Sequence, residues 1–190
     1  MKKIRYGISL VLLVLLGCVP SLHELYTDDT LIFDPAIAGK WQQEDETVWE
    51  FVPDEKAKSY QLTIHEKDAP KSKLVAHLVD LDGARFFDFY PAEDDEIKLG
   101  DWIKFHLIPG HLFLRVEQTE PNLVLAVMNA DTIGKLLAEK PDMVKHERRD
   151  GVVILTDSPK NIQAFVKAGL KIEKFFTDPA PLKRIPQPSE

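Results

Sequence analysis

The 190-residue sequence lacks most of the features that support catalysis or membrane-spanning helices. Cys18 is its only cysteine, so no disulfide forms within the chain. The nine glycines are scattered, and neither a glycine-rich phosphate loop nor a G-x-S-x-G nucleophile motif occurs. The apolar run at residues 8–16 is shorter than the about 20 residues that a spanning helix needs. We therefore expect no catalytic residues and no cofactor, and an enzyme is the least favoured class of function.

Clustered positive charge is also scarce. Acidic residues outnumber basic residues by 31 to 24, which gives a formal net charge of −7 at pH 7 with histidine neutral. The basic side chains of Lys145, Arg148 and Arg149 are interrupted by Glu147 and Asp150. Because phosphate binding depends on clustered lysine and arginine, this composition disfavours nucleic acid and anionic lipid headgroups as partners.

The N-terminus has the three segments of an export signal. Positively charged residues at positions 2–5 precede the apolar run at 8–16, which contains one serine. The export signal ends with Leu15-Leu16-Gly17-Cys18. Those last four residues resemble the bacterial lipobox, which has an apolar residue three positions before the cysteine and a small residue directly before it. Residues 1–17 are therefore predicted to be a lipoprotein signal peptide.

The resemblance implies a lipid anchor on Cys18. In that family the bond between Gly17 and Cys18 is cut, and the cysteine carries a diacylglyceryl thioether and an N-acyl chain such as palmitate. Several acyl chains hold a protein stably on a bilayer, whereas one does so only marginally. Val19, and not aspartate, follows the cysteine. The resemblance then implies an extracytoplasmic location, on the outer membrane if the host has two membranes and on the outer cell surface if it has one.

From Gly39 onward apolar and polar residues alternate, which is the pattern of half-buried strands. Beyond the strand that starts at Gly39, strands are predicted at residues 49–51, 60–64, 74–78, 85–90, 102–108, 111–116 and 123–128. Turn residues separate them at Asp82-Gly83, Pro109-Gly110 and Glu120-Pro121-Asn122. The Pro109-Gly110 pair predicts a compact hairpin that joins 102–108 to 111–116.

Two helices are predicted in the C-terminal third. The first begins at Asp131 and ends before Pro141, and the second begins at Ser158-Pro159 and ends at Gly169 after a strand at 152–155. Their predicted buried residues are Ile133, Leu136 and Leu137 in the first helix and Ile162, Phe165 and Val166 in the second.

Tandem strands followed by helices predict a mainly β, single-domain fold, an antiparallel curved sheet or small barrel with one or two short helices in the C-terminal third. The predicted organisation is a signal peptide at 1–17, a lipidated N-terminus and tether at 18–38, a globular domain at 39–178 and a Pro-rich tail at 179–190. Leu31, Ile32 and Phe33 are too apolar for a free linker and are expected to pack on the domain.

Gly39-Lys40-Trp41 on the first strand resembles the G-x-W signature of lipocalins. In that family the tryptophan closes the barrel base and the cup binds apolar ligands, and Arg184 is a candidate to stack on Trp41. The second lipocalin motif, T-D-x-x-x-Y, is not matched, because Asn161 stands where Thr156-Asp157 would require a tyrosine.

Three groups of side chains suggest chemistry. His106 and His111 flank the predicted turn and, with His77 or Asp88, suggest a metal site, but their spacing matches no ligand motif and no metal is predicted. Asp88 lies in an aromatic run, where a carboxylate either becomes an acid of raised pKa or, as we expect, accepts backbone hydrogen bonds or faces water. Asp94-Asp95 lacks the rest of a calcium-loop pattern and predicts a solvated loop.

Two functions therefore stand ahead of catalysis. The first is a lipid-tethered interaction or accessory protein of the cell envelope, with a protein partner there, and it is slightly favoured. The alternative is a carrier that binds an apolar or amphipathic molecule in a lipocalin-like cup, with Trp41, Trp49, Tyr60 and Trp102 as ligand-binding residues. A filled core with an exposed apolar patch would favour the first, and a cavity lined by the aromatic residues would favour the second.

Overall fold

The computed structural model describes residues 18–93, 100–104 and 106–186. The predicted signal peptide with Gly17, the acidic pair Asp94-Asp95 and residues 187–190 lie outside this part of the chain. Statements about architecture refer to the described residues.

Eleven strands and three helices are present, with two short 3-10 turns at Pro35–Ile37 and Pro141–Met143. The strands are β1 (Leu31–Ile32), β2 (Gly39–Gln42), β3 (Val48–Asp54), β4 (Ser59–His65), β5 (Ser72–Leu81), β6 (Ala84–Pro91), β7 (Leu112–Gln118), β8 (Asn122–Val127), β9 (His146–Arg149), β10 (Val152–Leu155) and β11 (Ala180–Arg184). The helices are α1 (Asp101–Lys104), α2 (Ala130–Glu139) and α3 (Pro159–Gly169).

The main sheet is a closed, antiparallel, eight-stranded barrel, which confirms the predicted fold class. Strands β2 to β8 follow one another as a meander, and β11 fills the gap between β8 and β2. Pairing of β5 with both β4 and β6 completes the ring, and the two-residue strand β1 adds to β5 beyond the end of β4. Closure leaves no unpaired edge in the ring.

Alternate residues of each barrel strand point inward, as the period-two pattern requires. The inward side chains form one apolar cluster whose largest buried members are Trp41, Phe51, Tyr60, Leu62, Leu78 and Phe87. Their rings are in mutual contact, with Phe51 and Phe87 stacked at a centroid distance of 5.5 Å and Tyr60 edge-on to Phe87 at 6.3 Å. The barrel is therefore filled by its own side chains over this part of its length.

The 3-10 turn at Pro35–Ile37 lies against one end of the barrel. Trp41 Nε1 donates to the Ile37 carbonyl at 2.8 Å, and the Arg184 guanidinium lies over the Trp41 ring at 4.2 Å. Arg184 also donates to the carbonyls of Ala38 and Ala36. The candidate pairing of Arg184 with Trp41 is therefore present in the structure, at the seam where β11 meets β2.

A second apolar cluster lies outside the barrel, between its wall and the C-terminal helices. Outward residues of β5, β6 and β7, which include Val79, Phe86 and Phe113, meet the buried stripes of α2 and α3. The predicted buried residues of both helices are confirmed: Ile133 and Leu137 are buried and Leu136 packs beside them in α2, and Ile162, Phe165 and Val166 are buried in α3.

The caps of the helices differ in part from the predictions. The N-cap of α2 is Asn129, whose Oδ1 accepts from the Thr132 amide at 3.1 Å, and Asp131 lies inside the first turn. Asp131 is still favourable there because negative charge stabilises a helix N-terminus. Ser158 is the N-cap of α3 as predicted, but its amide donates to Asp157 Oδ1 at 2.9 Å and its own hydroxyl caps nothing.

One predicted segment has a different conformation, and part of the predicted extended tail belongs to the barrel. The described residues of 102–108 do not form a strand, since α1 occupies Asp101–Lys104 and residues 106–108 have no regular structure. Strand β6 already pairs with β5 and β7, so the closed barrel offers these residues no edge. Residues 180–184, predicted to belong to an extended Pro-rich tail, form β11 and close the barrel, because β8 and β2 would otherwise leave their backbone groups unpaired.

Candidate functional site

The chain directly after Cys18 is built into the fold. Val19 is 2% exposed, and Ser21 and Leu25 are completely buried, so the predicted tether lies against the barrel. Ser21 and His111 exchange two backbone hydrogen bonds, of 2.9 and 2.8 Å, at the start of β7. On its other side the same stretch bonds to Leu155 of β10. These bonds hold the N-terminal segment in an extended conformation between two sheets.

Asp88 on β6 fixes the far end of that segment. It is fully buried, yet both carboxylate oxygens are satisfied: Oδ2 accepts from the Leu25 amide at 2.7 Å, and Oδ1 lies 2.7 Å from His111 Nδ1. A buried carboxylate is tolerated only with such partners. The expectation that Asp88 bonds a backbone amide is therefore confirmed.

His77 stands opposite Asp88 in the pairing of β5 with β6. Burial lowers the pKa of His77, the Asp88 charge opposes that change, and His111 lowers the pKa further. The Tyr26 ring packs on the His77 ring at a centroid distance of 4.3 Å, and burial together with Asp88 raises the pKa of the Tyr26 hydroxyl. Sequence reasoning paired His111 with His106 and named His77 or Asp88 as a third group of a metal site that was not favoured, and the structure places His77, Asp88 and His111 in one largely buried polar cluster.

This polar cluster does not have the arrangement of a catalytic triad. The Ser21 hydroxyl donates to the His23 carbonyl at 2.6 Å and accepts from the His23 amide, so it is occupied locally and is not bonded to His111. The Cys18 thiol has a pKa raised by burial, which is the opposite of an activated cysteine. The bonds of Asp88 to Leu25 and His111 instead suit the cluster to positioning the N-terminal segment.

The predicted approach of His106 to His111 is not found. His106 is exposed on the irregular stretch after α1, whereas the His111 ring bonds to Asp88 and packs on Tyr90 at a centroid distance of 4.5 Å. Within residues 18–93, 100–104 and 106–186, no three acidic, histidine or cysteine side chains converge as a metal site would require.

A group of exposed apolar side chains lies on the connection between β6 and β7. We call Trp102, Ile103, Leu107 and Ile108 the apolar loop; they are 82, 54, 55 and 77% exposed. The loop leads into Gly110, where an added Cβ would lie 3.3 Å from the Ser21 carbonyl oxygen and 3.6 Å from Pro20 Cβ. The C-terminal end of this connection, at Gly110, therefore lies against Pro20 and Ser21.

The four predicted ligand-binding residues fall in two places. Trp41, Trp49 and Tyr60 point into the barrel, whereas Trp102 lies outside it on α1. The Tyr60 hydroxyl donates to the Asp34 carbonyl at 2.8 Å and accepts from the Asp34 amide, so its polar atom is occupied by the protein, as is that of Trp41. Trp49 differs, because its Nε1 is buried without a hydrogen-bond partner in the described part of the chain.

Sequence reasoning missed the way Asp88 and His111 combine to hold the chain after Cys18. The available signal was weak: Asp88 is a polar residue at an outward position of β6, among aromatic residues that are themselves buried. Only the packing of Tyr26 and Leu25 over that outward face explains why a charged residue stands there.

Comparisons with known proteins assign no family to this chain. No protein-family model, curated protein or solved structure matches the chain. Among the helices of the described residues, none combines the length and the apolar character needed to cross a bilayer.

Proposed function

We propose that the protein is a lipid-anchored, extracytoplasmic lipoprotein that serves as an interaction or accessory protein at the membrane surface. The observation that carries the proposal is the position of Cys18: Val19 is 2% exposed and Ser21 is completely buried, so lipid on Cys18 would hold the barrel close to the bilayer. The lipobox-like residues before Cys18 support the same boundary.

An accessory role is supported by what fills the barrel and by what lies outside it. The inward aromatic residues pack on one another, and the buried cluster around Asp88 is satisfied by backbone and histidine. An exposed apolar surface lies on the connection between β6 and β7. A filled core with an exposed apolar patch is typical of a protein that acts through contacts.

The anchor is tested by replacing the cysteine in the full-length precursor. The parent protein should incorporate labelled palmitate and fractionate with membranes, and Cys18→Ala should lose the label and either become soluble or remain unprocessed. Leu22→Ser, an exposed change close to the same position, should behave like the parent. Membrane fractionation of the Cys18→Ala protein at mature size would contradict lipid anchoring.

A carrier function is the second candidate, and one observation favours it. The unpaired Nε1 of Trp49 lies near the end of the barrel at which the inward residues Ile64, Leu74, Leu112 and Val127 are only partly buried. A small apolar ligand with a hydrogen-bond acceptor would satisfy the indole. Native mass spectrometry of the gently purified protein decides this: an added mass that disappears on denaturation supports a carrier, and a bare protein mass contradicts it.

A further inference from the structure

The barrel interior is not filled at the end that carries the β2–β3, β4–β5 and β6–β7 connections. Five inward residues nearest that end are only partly buried, and we call them the barrel mouth: Trp49, Ile64, Leu74, Leu112 and Val127. The inward residues two positions further into the barrel on the same strands are buried: Phe51, Leu62, Ala76, Leu114 and Leu125. Two strand positions correspond to about 7 Å. The barrel mouth is therefore about one layer of side chains deep.

A surface groove adjoins the barrel mouth on one side. It has a volume of about 470 Å³ and is lined by the β4–β5 connection and the end of β6, with Pro70, Ser72 and Pro91 among its residues. Ser72 is paired with Ile64, and Ile64 is paired with Trp49, so one row across three strands leads from the groove to Trp49. Two strand spacings amount to about 10 Å. The groove alone has the volume of a small-molecule site, and the barrel mouth extends it.

The polar groups of the barrel mouth indicate the chemistry of a ligand. Trp49 Nε1 is buried and has no hydrogen-bond partner in the described part of the chain, which is unfavourable until an acceptor meets it. The residues of the barrel mouth and Ser72 carry no charge. One neutral donor satisfies a carbonyl oxygen, but it leaves most of the acceptor capacity of a carboxylate unmet, and a carboxylate that loses its water then gains too little in return. This end of the barrel therefore favours an uncharged acceptor.

We propose that the barrel mouth and the groove bind a linear apolar molecule with one uncharged acceptor, such as an acyl ester, whose carbonyl oxygen accepts from Trp49 Nε1 while its chain runs past Ile64 to Ser72. This inference rests on the carrier function, the second candidate above, and adds the class of ligand and its orientation. The Trp49 ring is already held by ring contacts with Phe89 at a centroid distance of 5.8 Å and with Phe51 at 6.4 Å. A donor that is fixed before binding loses little conformational entropy when the ligand arrives.

The test follows the indole N–H resonances of the three tryptophans in the chain from Cys18 onward, which contains every described residue. Ring contacts with Phe89, or loss of the resonance in Trp49→Phe, assign Trp49. Methyl octanoate should move the Trp49 resonance downfield and leave that of Trp41, which already donates to Ile37. Calorimetry should show that octanoate, ionised at about pH 8, binds about 10-fold more weakly than the ester. Trp49→Phe should weaken ester binding by about 3- to 10-fold, as expected for one neutral hydrogen bond, and the exposed control Val52→Thr on the same strand should not.

The outcomes separate this site from the carrier function, because native mass spectrometry of the gently purified protein reports a carried ligand independently. If methyl octanoate leaves the Trp49 resonance in place, the site is overturned, and an added mass in the purified protein would still support a carrier. Equal affinity for ester and octanoate overturns the uncharged class of ligand. Movement of the Trp102 resonance alone places the ester on the apolar loop and also overturns the site. A moved Trp49 resonance with weaker octanoate binding upholds the site even if the purified protein carries no added mass, in which case only the carrier function fails.

Discussion

The Arg184 guanidinium lies 4.2 Å from the centroid of the Trp41 ring and donates to the carbonyls of Ala36 and Ala38. Strands β11 and β2 are joined at this point by only two register pairs, Lys183 with Gln42 and Arg184 with Trp41. The barrel is thus closed by a short backbone seam, and a single arginine ties that seam to the 3-10 turn over the barrel end.

Arg184→Ala should therefore lower the free energy of unfolding by about 2–3 kcal/mol, since it removes a cation–π contact and hydrogen bonds from a charged donor. Arg184→Lys should recover only part of the loss, because an ammonium lacks the planar fork. Urea denaturation measures both. Lys183→Ala, an exposed change on the same strand, is the control and should stay within about 0.5 kcal/mol. Equal effects of the two alanine variants would contradict a special role for the stack.

Asp88→Asn should loosen the N-terminal segment. Asparagine is uncharged and has one acceptor oxygen, so the two charge-assisted bonds that Asp88 accepts cannot both be kept, at a cost of about 2–3 kcal/mol. Hydrogen exchange should become faster at residues 19–25 before it does so in the barrel. Asp82→Asn, which removes only an exposed ion pair with Lys167, should change neither quantity by much. Unchanged exchange at Leu25 would show that Asp88 does not hold the segment.

His77 should make stability depend on pH in the mildly acidic range. Burial lowers its pKa in the folded protein below the ordinary value of 6.5, so the unfolded chain binds more protons between the two pKa values. The contribution of neutral His77 is complete above about pH 6.5 and is lost as the pH falls through the lowered pKa. Unfolding measured from about pH 7 to 5 should thus show falling stability, and His77→Gln should weaken the dependence. The exposed His106→Gln control should leave it intact; if both variants match the parent, another group is responsible.

Two helix glycines should respond oppositely to alanine. A Cβ on Gly169 would lie 2.4 Å from the Phe175 ring, whereas a Cβ on Gly134 in α2 would meet nothing within 4 Å. Gly134→Ala should stabilise the protein by about 0.5–1 kcal/mol through helix propensity. Gly169→Ala should destabilise it by about 1–3 kcal/mol through overpacking. Thermal unfolding of the two variants measures the contrast, and stabilisation by Gly169→Ala would refute the close contact.

Local patterns predicted the repeated elements well. Strands β3 to β8 lie at alternating runs bounded by turn residues, and α2 and α3 carry their predicted buried stripes. These features depend on short-range periodicity and on proline and glycine, so neighbouring residues suffice to predict them. For the candidate site, the sequence alone predicted Cys18 as the point of lipid attachment. It also predicted that Asp88 accepts a backbone hydrogen bond.

The remaining features depended on partners far away in the chain. Residues 102–108 have a strand-like composition, but the barrel has no free strand edge for them to pair with, because β6 is paired with β5 on one side and with β7 on the other. The Pro-containing segment 180–184 became a strand because β8 and β2 needed a partner between them. Asp88 and His111 came together with Leu25 because the N-terminal segment covers the outer face of β6.

The sequence by itself thus determined an alternating, strand-forming chain, left open whether its sheet closes, and indicated the residue expected to carry lipid. Tertiary structure decided which segment closes the ring, which polar residues hold the chain after Cys18, and which apolar residues remain outside. The physical reason is that strand pairing and burial are satisfied between residues distant in sequence, and the same local pattern is stable or not according to whether such a partner exists.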